Sequence, residues 1–212
     1  MRCEYIKRNL FPIVVQLLFV GSCLMVEKEA FIYLNFLFYA ILSVYFYRRK
    51  DFTFKEWIEA IKSGKVFWKQ VMLNIIFLFG AFTLTSMFER IFPNIEKGMI
   101  LLRADNWLEF ILFTGSTILF PPIVEETFYR KNLISFRSKK ILILTTLFSM
   151  FLYASEHALA PWGIILCMVW ALPLSISYAK TKNIYVPMTA HLICNVIING
   201  MTVVQLFIFM LK

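Results

Sequence analysis

The sequence has no polar stretch long enough to bury a core of its own, so a separate soluble domain is not expected. Its four cysteines, Cys3, Cys23, Cys167 and Cys194, show no paired spacing. Three lie in apolar runs, where cysteine is usually a small packing residue, so neither a disulfide framework nor a cysteine metal site is expected. Acids are scarce, with 13 Asp and Glu against 22 Lys and Arg. There are only two histidines, His157 and His191, and no His-Glu-x-x-His zinc signature. Internal repeats and low-complexity segments are absent.

What the chain has instead is apolar length. Of its 212 residues 60% are hydrophobic, and the mean hydropathy is +0.72. Soluble domains of this size sit nearer half apolar. The excess falls in blocks close to the length that crosses a bilayer as a helix. They are Leu10–Val26, Ala30–Tyr47, Val71–Phe88, Trp107–Ser135, Ile141–Ala158, Trp162–Ala179 and Ile184–Leu211. The fold class is therefore all-α, a polytopic transmembrane bundle of seven spans, or eight if Gly200 divides the last block. Arg2–Arg8 followed by an apolar run resembles a signal peptide, and "VGSC" before Leu24 hints at a lipoprotein cleavage site. The spans that follow at once favour an uncleaved first helix.

The formal net charge of +9 is distributed unevenly. Basic residues fill the N-terminus (Arg2, Lys7, Arg8), the loop from Arg48 to Lys69, the turn with Arg137, Lys139 and Lys140, and the turn with Lys180 and Lys182. The loops between these are neutral, acidic or mixed, as with Glu27, Glu29 and the Glu89–Asp105 stretch. This alternation places the N-terminus in the cytoplasm by the positive-inside rule. The charge reads as topology and lipid attraction, with no nucleic acid partner, because it is dispersed over several loops. Phe54, Trp57, Ile58 and Ile61 share one helical face, consistent with a helix in the headgroup plane or with a plain connector.

Glu125 and Glu126 lie inside an apolar block, where each charge costs at least a few kcal/mol. Arg130, one turn on, can pair with Glu126. Glu125, rotated by about 100°, has no partner on its own helix. Pro121 and Pro122 are expected to break the helix just upstream and free backbone carbonyls. His157 ends the fifth block and His191 lies in the last, with Asn195 one turn beyond it. Such groups neutralise one another only by meeting inside the bundle, which makes a wet polar pocket of the kind enzymes and transporters use. Straight helices raise a difficulty of depth. Glu125 counts about 27 Å from Trp107, and His157 about 24 Å from Ile141 on the opposite course, and these depths disagree.

Glu125-Glu126-x-x-x-Arg130, then Tyr153-x-x-x-His157, then His191-x-x-x-Asn195, resembles in order and spacing the three motifs of the CPBP family. These are intramembrane proteases related to CAAX prenyl endopeptidases and to bacteriocin-processing and immunity proteins. The likeness covers roughly the last hundred residues. One departure is Tyr153, where the family usually has phenylalanine. The aromatic wall is kept and a hydroxyl added. The resemblance implies a catalytic core over 107–212, with 1–106 supplying further helices and lipid contacts. Glu125 would be general base on water, His157 would position that water, and His191 and Asn195 would donate to the oxyanion. Glu126 with Arg130 would brace the pocket or share in catalysis, and Tyr153 would support it. The substrate would be a prenylated or leader-bearing peptide at a bacterial cell membrane.

No cofactor is favoured. The alternative is zinc held by His157, His191 and Glu125 with an open fourth position. A reversed His-x-x-Glu-His signature would need histidine at Tyr153, although Glu156 and His157 stand in place. Two other functional classes fit the same residues, a proton-coupled transporter or channel and a catalytically idle scaffold. The lack of repeats weighs against the transporter.

Overall fold

The computed structural model describes residues 2–211, without the side chains of residues 2–4, 6 and 7, so the side chains of Arg2, Cys3 and Lys7 lie outside the description. Eight helices make up the described chain. They are α1 (Arg2–Cys23), α2 (Phe31–Arg48), α3 (Phe54–Lys62), α4 (Lys65–Ile91), α5 (Trp107–Asn132), α6 (Lys139–His157), α7 (Pro161–Thr181) and α8 (Tyr185–Met210). All but α3 match the seven apolar blocks. Five of them, α2, α4, α5, α7 and α8, are long and apolar enough to cross a membrane. The last block is one continuous helix, because Gly200 sits in open space and nothing divides the chain there.

The bundle is apolar outside and polar within. Leu18, Ile76, Phe77, Ile111, Ile197 and Phe209 are more than half exposed, whereas Gln16, Asn35, Asn74, Glu125, Glu126, Arg130 and Glu156 are buried. In water this distribution would expose an apolar patch far larger than soluble proteins carry. In lipid it is the favourable one, and the protein is an integral membrane protein.

Helix α5 differs from the expected break at Pro121–Pro122. It runs unbroken from Trp107 to Asn132, with π-helical turns at Gly115–Leu119 and Glu126–Asn132. The first wide turn lets Phe120 N–H bond the Gly115 carbonyl five residues back, which loosens the helix where the proline rings enter. Pro121 still deprives the Thr117 carbonyl of its helical donor. Asn199 of α8 replaces it, with Nδ2 donating at 3.1 Å. The helix continues because a neighbour supplies the missing bond.

Helix α3 starts at Thr53, whose hydroxyl accepts from the Glu56 N–H. It is docked by two contacts with α8. Trp57 is buried and donates from Nε1 to Thr189 Oγ1 at 2.8 Å, and Tyr185 donates to Glu56 at 2.6 Å. That hydrogen bond holds the Glu56 carboxyl below its ordinary range. Phe54 and Ile58 stay exposed at the edge of the bundle.

At the opposite end, the 92–106 loop folds over the α6–α7 turn. Ile100 N–H donates to the His157 carbonyl at 2.9 Å and Leu159 N–H to the Gly98 carbonyl at 2.8 Å. Gly98 adopts φ +56°, and the Lys97 carbonyl comes so close to Gly163 that no side chain fits there.

Candidate active site

The disagreement in depth disappears once α5 and α6 are paired. Ser149 Oγ of α6 donates to the Tyr129 carbonyl of α5 at 2.5 Å, which fixes the register of the two antiparallel helices. From that level His157 lies about 12 Å further along α6, and Glu125 about 6 Å back along α5. Both steps lead toward the same end of the bundle. Side chains lean toward the N-terminus of their own helix, so Glu125 reaches up and His157 reaches down, which narrows the difference. The first residues of α6, Lys139 to Leu144, are largely exposed and project past the end of α5. The fifth apolar block therefore starts beyond the level at which α5 ends.

Glu125, His157, His191 and Asn195 line one cavity of about 640 Å³. Its other walls are mostly apolar, including Leu78, Phe79 and Phe82 of α4, Phe113 of α5 and Trp170 of α7. Ile100 to Leu102 of the 92–106 loop form part of its rim.

The polar groups are arranged as two linked sets. In the first, Arg130 Nη1 lies 3.3 Å from Glu126 Oε1, with both side chains fully buried, as the spacing of one turn predicts. The same Oε1 lies 2.8 Å from His191 Nδ1. A carboxylate beside a guanidinium can only accept, so Nδ1 carries the proton and Nε2 is left to face the cavity. The Arg130 guanidinium also lies over the Tyr153 ring, 4.6 Å from its centre. Tyr153 thus does the work of an aromatic wall at the position where the motif departs from phenylalanine.

In the second set, Tyr39 of α2 donates to Glu125 Oε1 at 2.5 Å. Glu125 Oε2 has no hydrogen-bond partner among the described residues and lies 3.9 Å from His191 Nε2. His157 stacks on Tyr153 at 4.5 Å, and its Nδ1 lies 3.0 Å from the Tyr153 carbonyl. A carbonyl cannot donate, so here too Nδ1 holds the proton and Nε2 is the free nitrogen.

Two ionisable residues that line this cavity, Glu156 and Tyr39, carry no catalytic role in the sequence reading. Glu156 is 2% exposed and accepts from Tyr129 at 2.6 Å. The Tyr39 hydroxyl is within reach of both Glu125 and Glu156. Glu156 had a visible signal, since it is a third acid inside an apolar block, next to His157. Tyr39 had none, because a tyrosine among the aromatics of α2 looks like any other packing residue.

The donors that come together most closely are Glu125, Glu126 and His191, within 4.8 Å of one another. His157 is not one of these three. Nitrogen and oxygen donors of this kind suit zinc. Here, however, Glu126 Oε1 is taken by both Arg130 and His191 Nδ1, and the guanidinium already holds the place of a cation. The set fits an ion poorly.

Comparison with known proteins adds one finding. Residues 107–197 match a family model described as type II CAAX prenyl endopeptidase Rce1-like. Neither the curated proteins nor the solved structures gave a match. The matched segment contains all three motifs and every polar group of the cavity except Tyr39 and Asn35 of α2 and Asn199 of α8. Residues 107–197 are thus similar to the Rce1-like type II CAAX prenyl endopeptidases, which is consistent with the resemblance to the CPBP family.

Proposed function

We propose that the protein is an intramembrane endopeptidase that hydrolyses a peptide bond with water activated by Glu125. The observation that carries this reading is the meeting of Glu125, His157, His191 and Asn195 in one mostly apolar cavity. Tyr39 occupies one oxygen of Glu125 and leaves the other, which has no partner among the described residues, to bind the water. Glu125 takes a proton from that water while the oxygen attacks the scissile carbonyl. His157, through its free Nε2, accepts the water's other hydrogen bond and orients it. Asn195 and His191 donate to the oxyanion. To donate from Nε2, His191 carries both protons, with Glu126 as its counter-ion 2.8 Å from Nδ1. Glu125 then delivers its proton to the leaving amine, which closes the cycle.

In this mechanism Arg130 braces Glu126, and Glu126 orients His191. The mechanism needs no metal, because the free oxygen of Glu125 and the free Nε2 of His157 hold and activate the water between them. Residues 107–212 form the catalytic core, and 1–106 contribute the Tyr39 contact and the α4 wall. The N-terminus faces the cytoplasm of a bacterial cell, and the substrate is a prenylated-type or leader-bearing peptide, with bacteriocin processing or self-immunity as the setting.

The test is cleavage of a quenched fluorescent farnesylated peptide, and of a leader-bearing peptide, by purified protein in detergent. Glu125→Gln is expected to abolish cleavage of whichever is cut while melting like the parent protein. Cleavage that persists in Glu125→Gln removes Glu125 from the role of base. Proton flux in vesicles without peptide cleavage supports a transporter instead.

A further inference from the structure

A second concavity, of about 550 Å³, lies between α4 and α7 on a face of that pair turned away from the candidate active site. Its walls are largely apolar, but polar groups interrupt them. Asn74 is only 3% exposed, lines the groove, and has no hydrogen-bond partner for either amide atom among the described residues. An unpaired amide at that depth is costly, and a ligand that bonds it removes the cost. Pro173 has no N–H to give the Val169 carbonyl one turn before it, and both residues line the same groove. Lys180 and Gln70 lie at the end where α4 begins and α7 finishes.

Dimensions and charge together select an occupant. From Lys180 to Val169 the groove runs about 16 Å along α7, half of a hydrocarbon core of about 30 Å. It therefore spans one leaflet. Its mouth lies at the basic end of the bundle, where Lys65 and Lys69 open α4 and Lys182 follows α7. Asn74 stands one turn below Gln70, about 6 Å deeper, where a glycerolipid carries its ester carbonyls beneath the phosphate. Gly80 leaves the groove open, with nothing within 4 Å of where a Cβ would sit.

We propose that this groove is a binding site for an anionic glycerophospholipid, with the phosphate at Lys180, an ester group on Asn74 and one acyl chain along Gly80 and Val169. The site shares its helices with the wall of the candidate active site but none of its residues, so it stands apart from the proteolytic reading.

The experiment uses the full-length protein in detergent, equilibrated with phosphatidylglycerol or phosphatidylcholine of identical acyl chains, with retained lipid counted by native mass spectrometry. The wild type is expected to retain one phosphatidylglycerol in preference to phosphatidylcholine. Lys180→Gln should lower phosphatidylglycerol retention roughly fivefold and phosphatidylcholine, whose choline already offsets the phosphate charge, by less. Asn74→Leu should weaken retention of both. Gly80→Leu, which places its side chain into open groove, should exclude both while melting no lower than the parent. Equal retention of the two lipids, or full retention by Gly80→Leu, means adventitious annular lipid only and overturns the proposal. Unchanged phosphatidylglycerol retention in Lys180→Gln overturns it as well.

Discussion

Replacing Arg130 with methionine isolates one interaction. Arg130 is the largest of the fully buried side chains among the described residues, and methionine keeps much of its volume while removing the charge. The loss leaves Glu126, itself fully buried, without its guanidinium at 3.3 Å. Breaking a buried pair by removing one partner costs about 3–5 kcal/mol. His191, 2.8 Å from the same oxygen, takes over part of the compensation. The lower end, about 3 kcal/mol, is therefore expected. At 2–4 °C per kcal/mol for a chain of this size, the melting temperature should fall by about 6–12 °C. The assay is intrinsic-fluorescence melting in one detergent, beside peptide cleavage. Arg130→Met combined with Glu126→Gln removes both charges and should regain most of the lost stability, because a buried pair replaced as a whole is often neutral. Activity should not return, since His191 then lacks the carboxylate that orients it. If Arg130→Met melts like the parent but is inactive, Arg130 contacts substrate and the brace assignment is wrong. If the double variant melts as low as the single one, packing rather than charge sets the cost.

Activity is expected to survive a strong chelator, with far less than one zinc per chain by metal analysis; inactivation reversed by added zinc makes Glu125, His157 and His191 ligands instead. Gly163→Ala should push the 92–106 loop off the α6–α7 turn, because an added Cβ meets the Lys97 carbonyl. The cost should be about 1–3 kcal/mol, with cleavage reduced through the displaced His157 and Ile100 pair; unchanged melting and turnover refute the clasp. The Tyr185–Glu56 contact holds the Glu56 carboxyl below its ordinary range, so its contribution is full above that range and is lost as pH falls through the lowered value. The protection of α3 amides, taken as exchange relative to the intrinsic rate at each pH, should therefore fall at acid pH in the parent and show no such change in Glu56→Gln.

The sequence by itself determined which segments are helices and which ionisable residues lie inside the apolar blocks. Apolar blocks of bilayer length leave the backbone no other way to satisfy its hydrogen bonds in lipid, so α1, α2 and α4–α8 could be located without a structure. The Glu126–Arg130 pair was legible for the same reason, since one helical turn fixes which side chains meet. Contacts between helices were not. Helical periodicity tells which face a residue lies on but not what packs against it. Tyr39 meets Glu125 across 86 positions, and His191 meets Glu126 across 65. Glu156 shares in this network only because Tyr129 and Ser149 set the register of α5 against α6. The prolines carry the same lesson. Pro121 removes a hydrogen bond wherever it stands, and the local sequence points to a broken helix. Whether the helix breaks depends on another donor reaching the freed Thr117 carbonyl, and only the packing of α8, which brings Asn199 there, decided that it continues.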